Sequence, residues 1–172
     1  MRLDWKDAAN TRTLEIGTLT KLQLIEKLQN HSIKLNEYAE ILLSDDKFSP
    51  SKTKYNVTTV TLTIRDLGFP EGATMPQIVK RASDVGLGLC PLEVGPYLRL
   101  EYLDQPEGNT ENHISQQAPT GSLTIASEII SEDDNFPKGF YIRKIDGELW
   151  LRGYVADDLH VWNNEDHFIF CC

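Results

Sequence analysis

The chain has 172 residues, 40% of them hydrophobic, which suits one folded domain with its own core and excludes a chain that is disordered throughout. The net charge is −9, and residues 100–172 carry 14 Asp and Glu against 4 Lys and Arg, an excess that argues against binding to nucleic acid or to an anionic membrane surface. The N-terminus is charged and no stretch approaches the roughly 18 apolar residues of a membrane-spanning helix, so we expect a cytoplasmic protein without a membrane partner.

Two short helices are predicted in residues 1–48. Thr20 is placed to cap the first helix, whose apolar face includes Leu22 and Leu28. A second helix begins near Leu35, and the pair is expected to form a helical hairpin. DNA-binding helix-turn-helix motifs share this geometry, but the second helix is acidic where a recognition helix needs basic or amide side chains. We interpret the hairpin as an N-terminal appendage and expect no nucleic-acid partner.

A strand, a helix and a second strand are predicted next. The stretch YNVTTVTLTI, residues 55–64, is the clearest strand because its β-branched residues alternate between two faces. The helix begins at Thr74, which is spaced from Gln77 as in a capping box, and ends at Gly86. The apolar run at residues 97–102 alternates again and is predicted as a strand.

Strands dominate the rest of the predicted structure. A polar loop is expected over residues 103–120, followed by a strand in the stretch GSLTIASEII. The segment GFYIRKIDGELWLRGY predicts a β-hairpin, since Asp146-Gly147 suits a two-residue type I′ turn. The final HFIF is interpreted as a short strand that closes the sheet. Residues 55–172 are therefore expected to form an α+β domain with a mainly antiparallel sheet and one packed helix.

Two rows of side chains are expected to line a ligand-binding cleft. On the second predicted strand, Tyr97, Arg99 and Glu101 would share one face. On the predicted hairpin, Trp150 and Arg152 share another. Side by side, the two faces would form a cleft lined by arginine and aromatic side chains, which suits an anionic or planar ligand. An ordinary solvated sheet surface is the alternative, because exposed strands commonly carry such cross-strand pairs.

A small hydrolase or transferase is the alternative function. Its reaction would use Cys90 or Glu93 together with a histidine such as His113. Pro91 follows the cysteine and no helix start is evident to lower its pKa, so a buried structural role is the competing interpretation. The three cysteines are odd in number and irregularly spaced, which favours a reducing compartment over a disulfide framework.

No cofactor and no metal site is predicted. The sequence Gly86-Leu87-Gly88 lacks the third glycine of a dinucleotide-binding loop, and no P-loop motif occurs. The tail DDLHVWNNEDHF is rich in carboxylates and histidines but lacks the spacing of a metal site. We interpret this tail as a solvated acidic loop.

Several long motifs resemble a family of small bacterial proteins with no assigned activity. The motifs extend from about Leu24 to the C-terminus and are IKLNEYAEIL, LGFPEGAT, LGLCPLEVGPYLRLEYLDQPEG, PTGSLTIAS and FPKGFYIRKIDGELWLRGY. The resemblance implies no reaction and assigns no functional residue. The leading hypothesis is therefore a cytoplasmic module that binds a small molecule or a protein partner.

Overall fold

The computed structural model describes residues 10–108 and 121–172. In this part of the chain, four helices accompany a large sheet and a small one. The helices are α1 (Lys21–Asn30), α2 (Glu37–Ser44), α3 (Met75–Asp84) and α4 (Val94–Glu101). The strands are β1 (Asn10–Ile16), β2 (Lys34–Leu35), β3 (Tyr55–Thr63), β4 (Ala73–Thr74), β5 (Leu123–Ile125), β6 (Gly139–Ile145), β7 (Glu148–Tyr154), β8 (Val161–Trp162) and β9 (His167–Cys171).

The large sheet has seven strands in the order β1-β3-β9-β5-β6-β7-β2. Among its described strands, β5 and β9 pair in parallel, as do β2 and β7, and the other neighbours are antiparallel. β4 and β8 form a separate two-stranded sheet. The α+β class with a mainly antiparallel sheet is therefore confirmed. The HFIF strand, predicted to close the sheet, lies in its middle as part of β9, between β3 and β5.

The N-terminal helical hairpin is not confirmed as a unit of its own. β1 comes first in the described chain and pairs with β3 over its whole length, while β2 lies between α1 and α2 and pairs with β7. Leu24 and Leu42, from the two helices, are buried in the same hydrophobic cluster as Leu151 of β7. Strand pairing and a shared hydrophobic cluster thus join residues 10–48 to the rest of the described chain, and the division into residues 1–48 and residues 55–172 stays a prediction.

Polar side chains begin the helices as the sequence indicates. Thr20 Oγ1 accepts a hydrogen bond from Gln23 N at 3.1 Å, and Gln23 Oε1 accepts one from Thr20 N at 2.9 Å, which completes a capping box on α1. Asn36 caps α2 by accepting from Ala39 N at 2.9 Å. The same Asn36 side chain accepts from Gly153 N and donates to Gly153 O, so one residue both starts a helix and attaches it to β7.

Helices and strands cover the large sheet on two faces. Alternate residues of β9 divide between two hydrophobic clusters: Ile169 lies with residues of α1, α2 and α4, whereas Phe168 and Phe170 lie with α3 and the small sheet. This division follows from the two-residue period of a strand. None of the described helices has the length and apolar character required to cross a membrane.

The run at residues 97–102, predicted as a strand, belongs to α4 and the residue after it. Val94 and Leu98, four residues apart, are both buried, as on one face of a helix. Pro96 lies in the first turn, where its missing N–H is not needed. Gly95 allows close packing on β6, since a Cβ there would lie 2.4 Å from Phe140 Cδ2. An alternating run of six residues fits both the two-residue period of a strand and the 3.6-residue period of a helix. The packing of the residues before it selects the helix.

The predicted β-hairpin is confirmed. β6 and β7 pair antiparallel with Ile145 opposite Glu148. Asp146 and Gly147 form the turn with φ of 52° and 76°, the positive values that a type I′ turn requires at both positions. The hairpin therefore has a fixed register, and the register decides which side chains lie together on its outer face.

Candidate ligand-binding site

Four large side chains share the outer face of the β6–β7 hairpin. The register places Tyr141 opposite Arg152 and Arg143 opposite Trp150. The alternate residues of both strands are buried against α1, α2 and α4, so these four side chains lie on the opposite face of the sheet. We call them the hairpin cluster.

Arg152 is held in place by the two aromatic side chains of the hairpin cluster. Its guanidinium carbon lies 4.9 Å from the centre of the Trp150 ring and 5.8 Å from the centre of the Tyr141 ring, within the range of a cation–π contact. Its Nε donates a hydrogen bond to the Tyr141 hydroxyl at 2.7 Å. These contacts fix the plane of the guanidinium.

Arg143 and Trp150 bring polar atoms that the described residues do not satisfy. Arg143 Nε and Trp150 Nε1 are both buried, and neither has a hydrogen-bond partner among the described residues. Burial, together with the positive charge of Arg152, lowers the pKa of the Arg143 guanidinium, while Tyr141 and Asp146 act in the opposite direction. Two like charges therefore lie close together in a partly desolvated place.

The hairpin cluster is also a positive spot in an acidic part of the chain. Of the four Lys and Arg in residues 100–172, three lie on the hairpin: Arg143, Lys144 and Arg152. Among the described residues, the ion pairs are Lys34–Glu148, Lys54–Glu15, Arg65–Glu165 and Lys80–Asp84. Neither arginine of the cluster is paired with a described carboxylate.

Arg99, expected in the same cleft, is instead part of the core. Its side chain is 0% exposed. Nη1 donates to Gln105 Oε1 at 2.6 Å and to the carbonyl oxygens of Trp150 at 3.2 Å and Arg143 at 3.3 Å, and Nη2 donates to the carbonyl of Tyr102. Burial lowers the pKa of this guanidinium to about 10. Arg99 thus reaches the backbone of the hairpin and does not face a ligand.

Tyr97 and Glu101 lie elsewhere as well. The Tyr97 hydroxyl accepts a hydrogen bond from Leu19 N at 3.2 Å, and Glu101 is exposed at the end of α4. Both line a cavity of about 350 Å³ that also includes His31. Successive helical residues are rotated by about 100°, so Tyr97 and Glu101, four residues apart, share a face of α4 and Arg99 points away from it. The structure brings Trp150 and Arg152 together on the hairpin and Tyr97 and Glu101 together at this cavity, but it does not bring the five predicted residues into one cleft.

Of the residues in the enzymatic alternative, Cys90 is buried and Glu93 lines a cavity of about 390 Å³. Cys90 is 0% exposed. A hydrogen bond with Cys171 raises the pKa of its thiol most, and burial raises it further. Glu93 is 6% exposed and accepts hydrogen bonds from Ser51 N and from the Tyr55 hydroxyl. His113 lies outside the described residues.

Side chains of the acidic tail, residues 157–167, form local hydrogen bonds and ring contacts. Asp157 Oδ1 accepts from Leu159 N and His160 N, and the His160 ring packs edge-on against Trp162 with centroids 4.9 Å apart. In the described ranges, no three His, Cys, Asp or Glu side chains are grouped so as to hold a metal ion. Residues 157–167 therefore act here through turns and ring contacts.

Sequence reasoning missed Tyr141 and Arg143, although a signal for both was present. A two-residue turn at Asp146-Gly147 sets the pairing of the strands, and this pairing places Arg143 opposite Trp150 and Tyr141 opposite Arg152. The outer face of the hairpin could thus have been assembled from the turn alone.

Comparisons with known proteins assign no relative. No family model matches the chain, and neither a curated protein nor a solved structure matches it. The resemblance to a bacterial family remains a prediction.

Proposed function

We propose that the protein binds a small planar anion, of the class of aromatic carboxylates, at the hairpin cluster. The observation that carries this proposal is the pair of neighbouring guanidinium groups of Arg143 and Arg152, which form no ion pair with a described carboxylate. Like charges that are close together and partly removed from water are costly unless an anion neutralises them. A bound carboxylate supplies that charge.

The hydrogen-bonding groups and the rings suit such a ligand. A carboxylate accepts in-plane hydrogen bonds from a guanidinium and from a neighbouring N–H, and Trp150 Nε1 and Arg143 Nε are donors of this kind that have no partner among the described residues. Arg152 already lies over the Trp150 ring. An aromatic ligand extends this stack of planar groups, which favours it over an aliphatic acid.

The contacts favour binding over the alternative of a hydrolase or transferase. A cysteine nucleophile needs access and a lowered pKa, whereas Cys90 is buried and its pKa is raised. Glu93 already accepts two hydrogen bonds from neighbouring groups. The hairpin cluster, by contrast, keeps two buried donor atoms, Arg143 Nε and Trp150 Nε1, without a partner among the described residues.

The proposal is tested by isothermal titration calorimetry with 2-naphthoate. Two matched compounds are controls: 2-naphthamide lacks the charge, and cyclohexanecarboxylate lacks the planar ring. We expect saturable binding of 2-naphthoate that weakens as salt is added, and weaker binding of both controls. Equal binding of all three compounds, or no binding of 2-naphthoate, contradicts the proposal.

Two substitutions locate the site. Arg152→Gln removes a charged donor worth about 1.5–3 kcal/mol, so we expect the affinity for 2-naphthoate to fall by about tenfold to a hundredfold. Arg65→Gln changes the net charge equally, but Arg65 is an exposed residue paired with Glu165 at 2.9 Å, and its affinity should match the wild type. The same loss in both variants would mean that only net charge matters.

A further inference from the structure

A second cleft, separate from the hairpin cluster, has a volume of about 630 Å³. It lies between α3 and the chain around Ser127 and Tyr154, and its lining includes the apolar side chains of Met75, Val79 and Leu89. Clefts of this size commonly hold small molecules when a few polar groups accompany an apolar wall.

One end of this cleft has hydroxyl groups. Ser127 is 8% exposed, and its Oγ is buried without a hydrogen-bond partner among the described residues. The Tyr154 hydroxyl is close by, because a Cβ built on Gly139 would lie 3.0 Å from Ser127 Oγ and 3.3 Å from the Tyr154 hydroxyl oxygen. A side chain at position 139 would therefore crowd both hydroxyls. A buried hydroxyl without a partner is costly, and a hydroxyl group of a ligand would satisfy it.

The rim of the cleft is acidic. Its carboxylates are Glu132, Asp134, Asp157 and Asp158, and its ammonium groups are Lys80 and Lys138. Both lysines are engaged: Lys138 Nζ donates to the carbonyl oxygens of Ser131 and Asp133 at 2.8 and 2.7 Å, and Lys80 pairs with Asp84 at 3.2 Å. The rim therefore attracts a cation.

We propose that this cleft binds an amphipathic amine with a hydroxyl group at its far end. The ammonium lies at the acidic rim, the apolar body packs against Val79 and Leu89, and the hydroxyl hydrogen-bonds to Ser127 Oγ. This site needs a cation and the hairpin cluster needs an anion, so either proposal can fail without the other.

Tyramine is the probe, and three relatives each remove one feature. Phenethylamine lacks the hydroxyl, tyrosol lacks the ammonium, and 3-(4-hydroxyphenyl)propanoate replaces the ammonium by a carboxylate. By calorimetry we expect tyramine to bind about tenfold more tightly than phenethylamine, as one hydrogen bond supplies, and the carboxylate to bind least. Tyramine binding that is no tighter than that of the carboxylate or of phenethylamine would overturn the proposal.

Substitutions then assign each part of the cleft. Ser127→Ala should abolish the tighter binding of tyramine relative to phenethylamine while 2-naphthoate binding stays unchanged. Tighter binding of tyramine that persists in this variant would refute the role of Ser127.

Gly139→Ala should exclude tyramine, since a methyl group there would crowd the two hydroxyls. Circular dichroism checks that the Gly139→Ala variant is folded. If this variant does not fold, the Ser127→Ala variant tests the proposal. Asp158→Asn should weaken tyramine binding more than Asp104→Asn, an equal charge change at an exposed residue outside the cleft, and equal effects would contradict the rim's role.

Discussion

Replacing Arg99 by methionine tests whether a buried guanidinium joins α4 to the hairpin. Methionine fills a similar length but cannot donate, so Gln105 Oε1 and the carbonyl of Tyr102 lose their charged partner. A hydrogen bond to a charged group contributes about 1.5–3 kcal/mol, and the contact to Gln105 at 2.6 Å is shorter than those to Arg143 and Trp150. Methionine also removes the cost of burying the guanidinium charge, which offsets part of this lost stability. We expect Arg99→Met to lower the free energy of unfolding by about 3 kcal/mol.

Urea denaturation followed by circular dichroism measures this change, with the free energy extrapolated linearly to water. For a chain of this size, the expected loss corresponds to a melting temperature about 6–12 °C lower. Arg65→Met is the matched control, because Arg65 forms an exposed ion pair with Glu165, and its effect should be below about 1 kcal/mol.

A double-mutant cycle with Gln105→Leu separates the guanidinium contact from general disturbance of the core. Arg99 Nη1 and Gln105 Oε1 lie 2.6 Å apart. If they interact, the double variant should lose less free energy of unfolding than the sum of the two single variants, by about 1 kcal/mol or more. A loss for Arg99→Met below about 1 kcal/mol, or fully additive substitutions, would refute the role assigned to this side chain.

Four further outcomes are expected. Gly95→Ala should lower the stability measured by urea titration, because the added Cβ would lie 2.4 Å from Phe140 Cδ2 and overpacking costs about 1–3 kcal/mol. This cost should exceed the gain of about 1 kcal/mol that alanine brings to a helix relative to glycine. A stabilised variant would be inconsistent with this packing. Burial raises the pKa of Tyr154, and burial with Glu93 raises that of Tyr55, so ultraviolet titration of the native protein should leave these two phenols protonated near pH 10, where a free tyrosine ionises. Above pH 10 the unfolded chain releases the Tyr154 proton that the folded chain keeps, so wild-type stability should fall relative to Tyr154→Phe as pH rises, and parallel curves would count against this shift. Cys172 is exposed and Cys90 is buried, so a thiol reagent should modify Cys172 in the native protein and Cys90 only after unfolding; modification of a native Cys172→Ser variant at Cys90 would disprove its burial.

Local features of the fold were predictable because their causes are local. The hairpin follows from Asp146-Gly147, whose backbone has positive φ at both positions, and the start of α1 follows from Thr20 and Gln23. In each case a few adjacent residues satisfy their own hydrogen bonds or backbone angles, with no contribution from distant parts of the chain.

The predicted ligand cleft failed where local pattern and packing disagreed. Tyr97 to Tyr102 alternates like a strand, but Val94 and Leu98 bury one helical face and Gly95 packs against Phe140. Arg99 consequently turns into the core. Trp150 and Arg152 lie where the sequence predicts, because the turn at Asp146-Gly147 sets the register of their hairpin. Tyr97, Arg99 and Glu101 do not, because tertiary contacts decide that their segment is a helix.

By itself, the sequence determined the α+β class, the hairpin with its outward-facing Trp150 and Arg152, and the concentration of positive charge on that hairpin within an acidic segment. Only the tertiary structure decided that β1 and β9 pair with β3, and that Ser127 and Tyr154 both lie next to Gly139. The physical reason is sequence separation. Turns and caps are stabilised by neighbouring residues, whereas strand order and clefts depend on contacts between distant segments that no short pattern encodes.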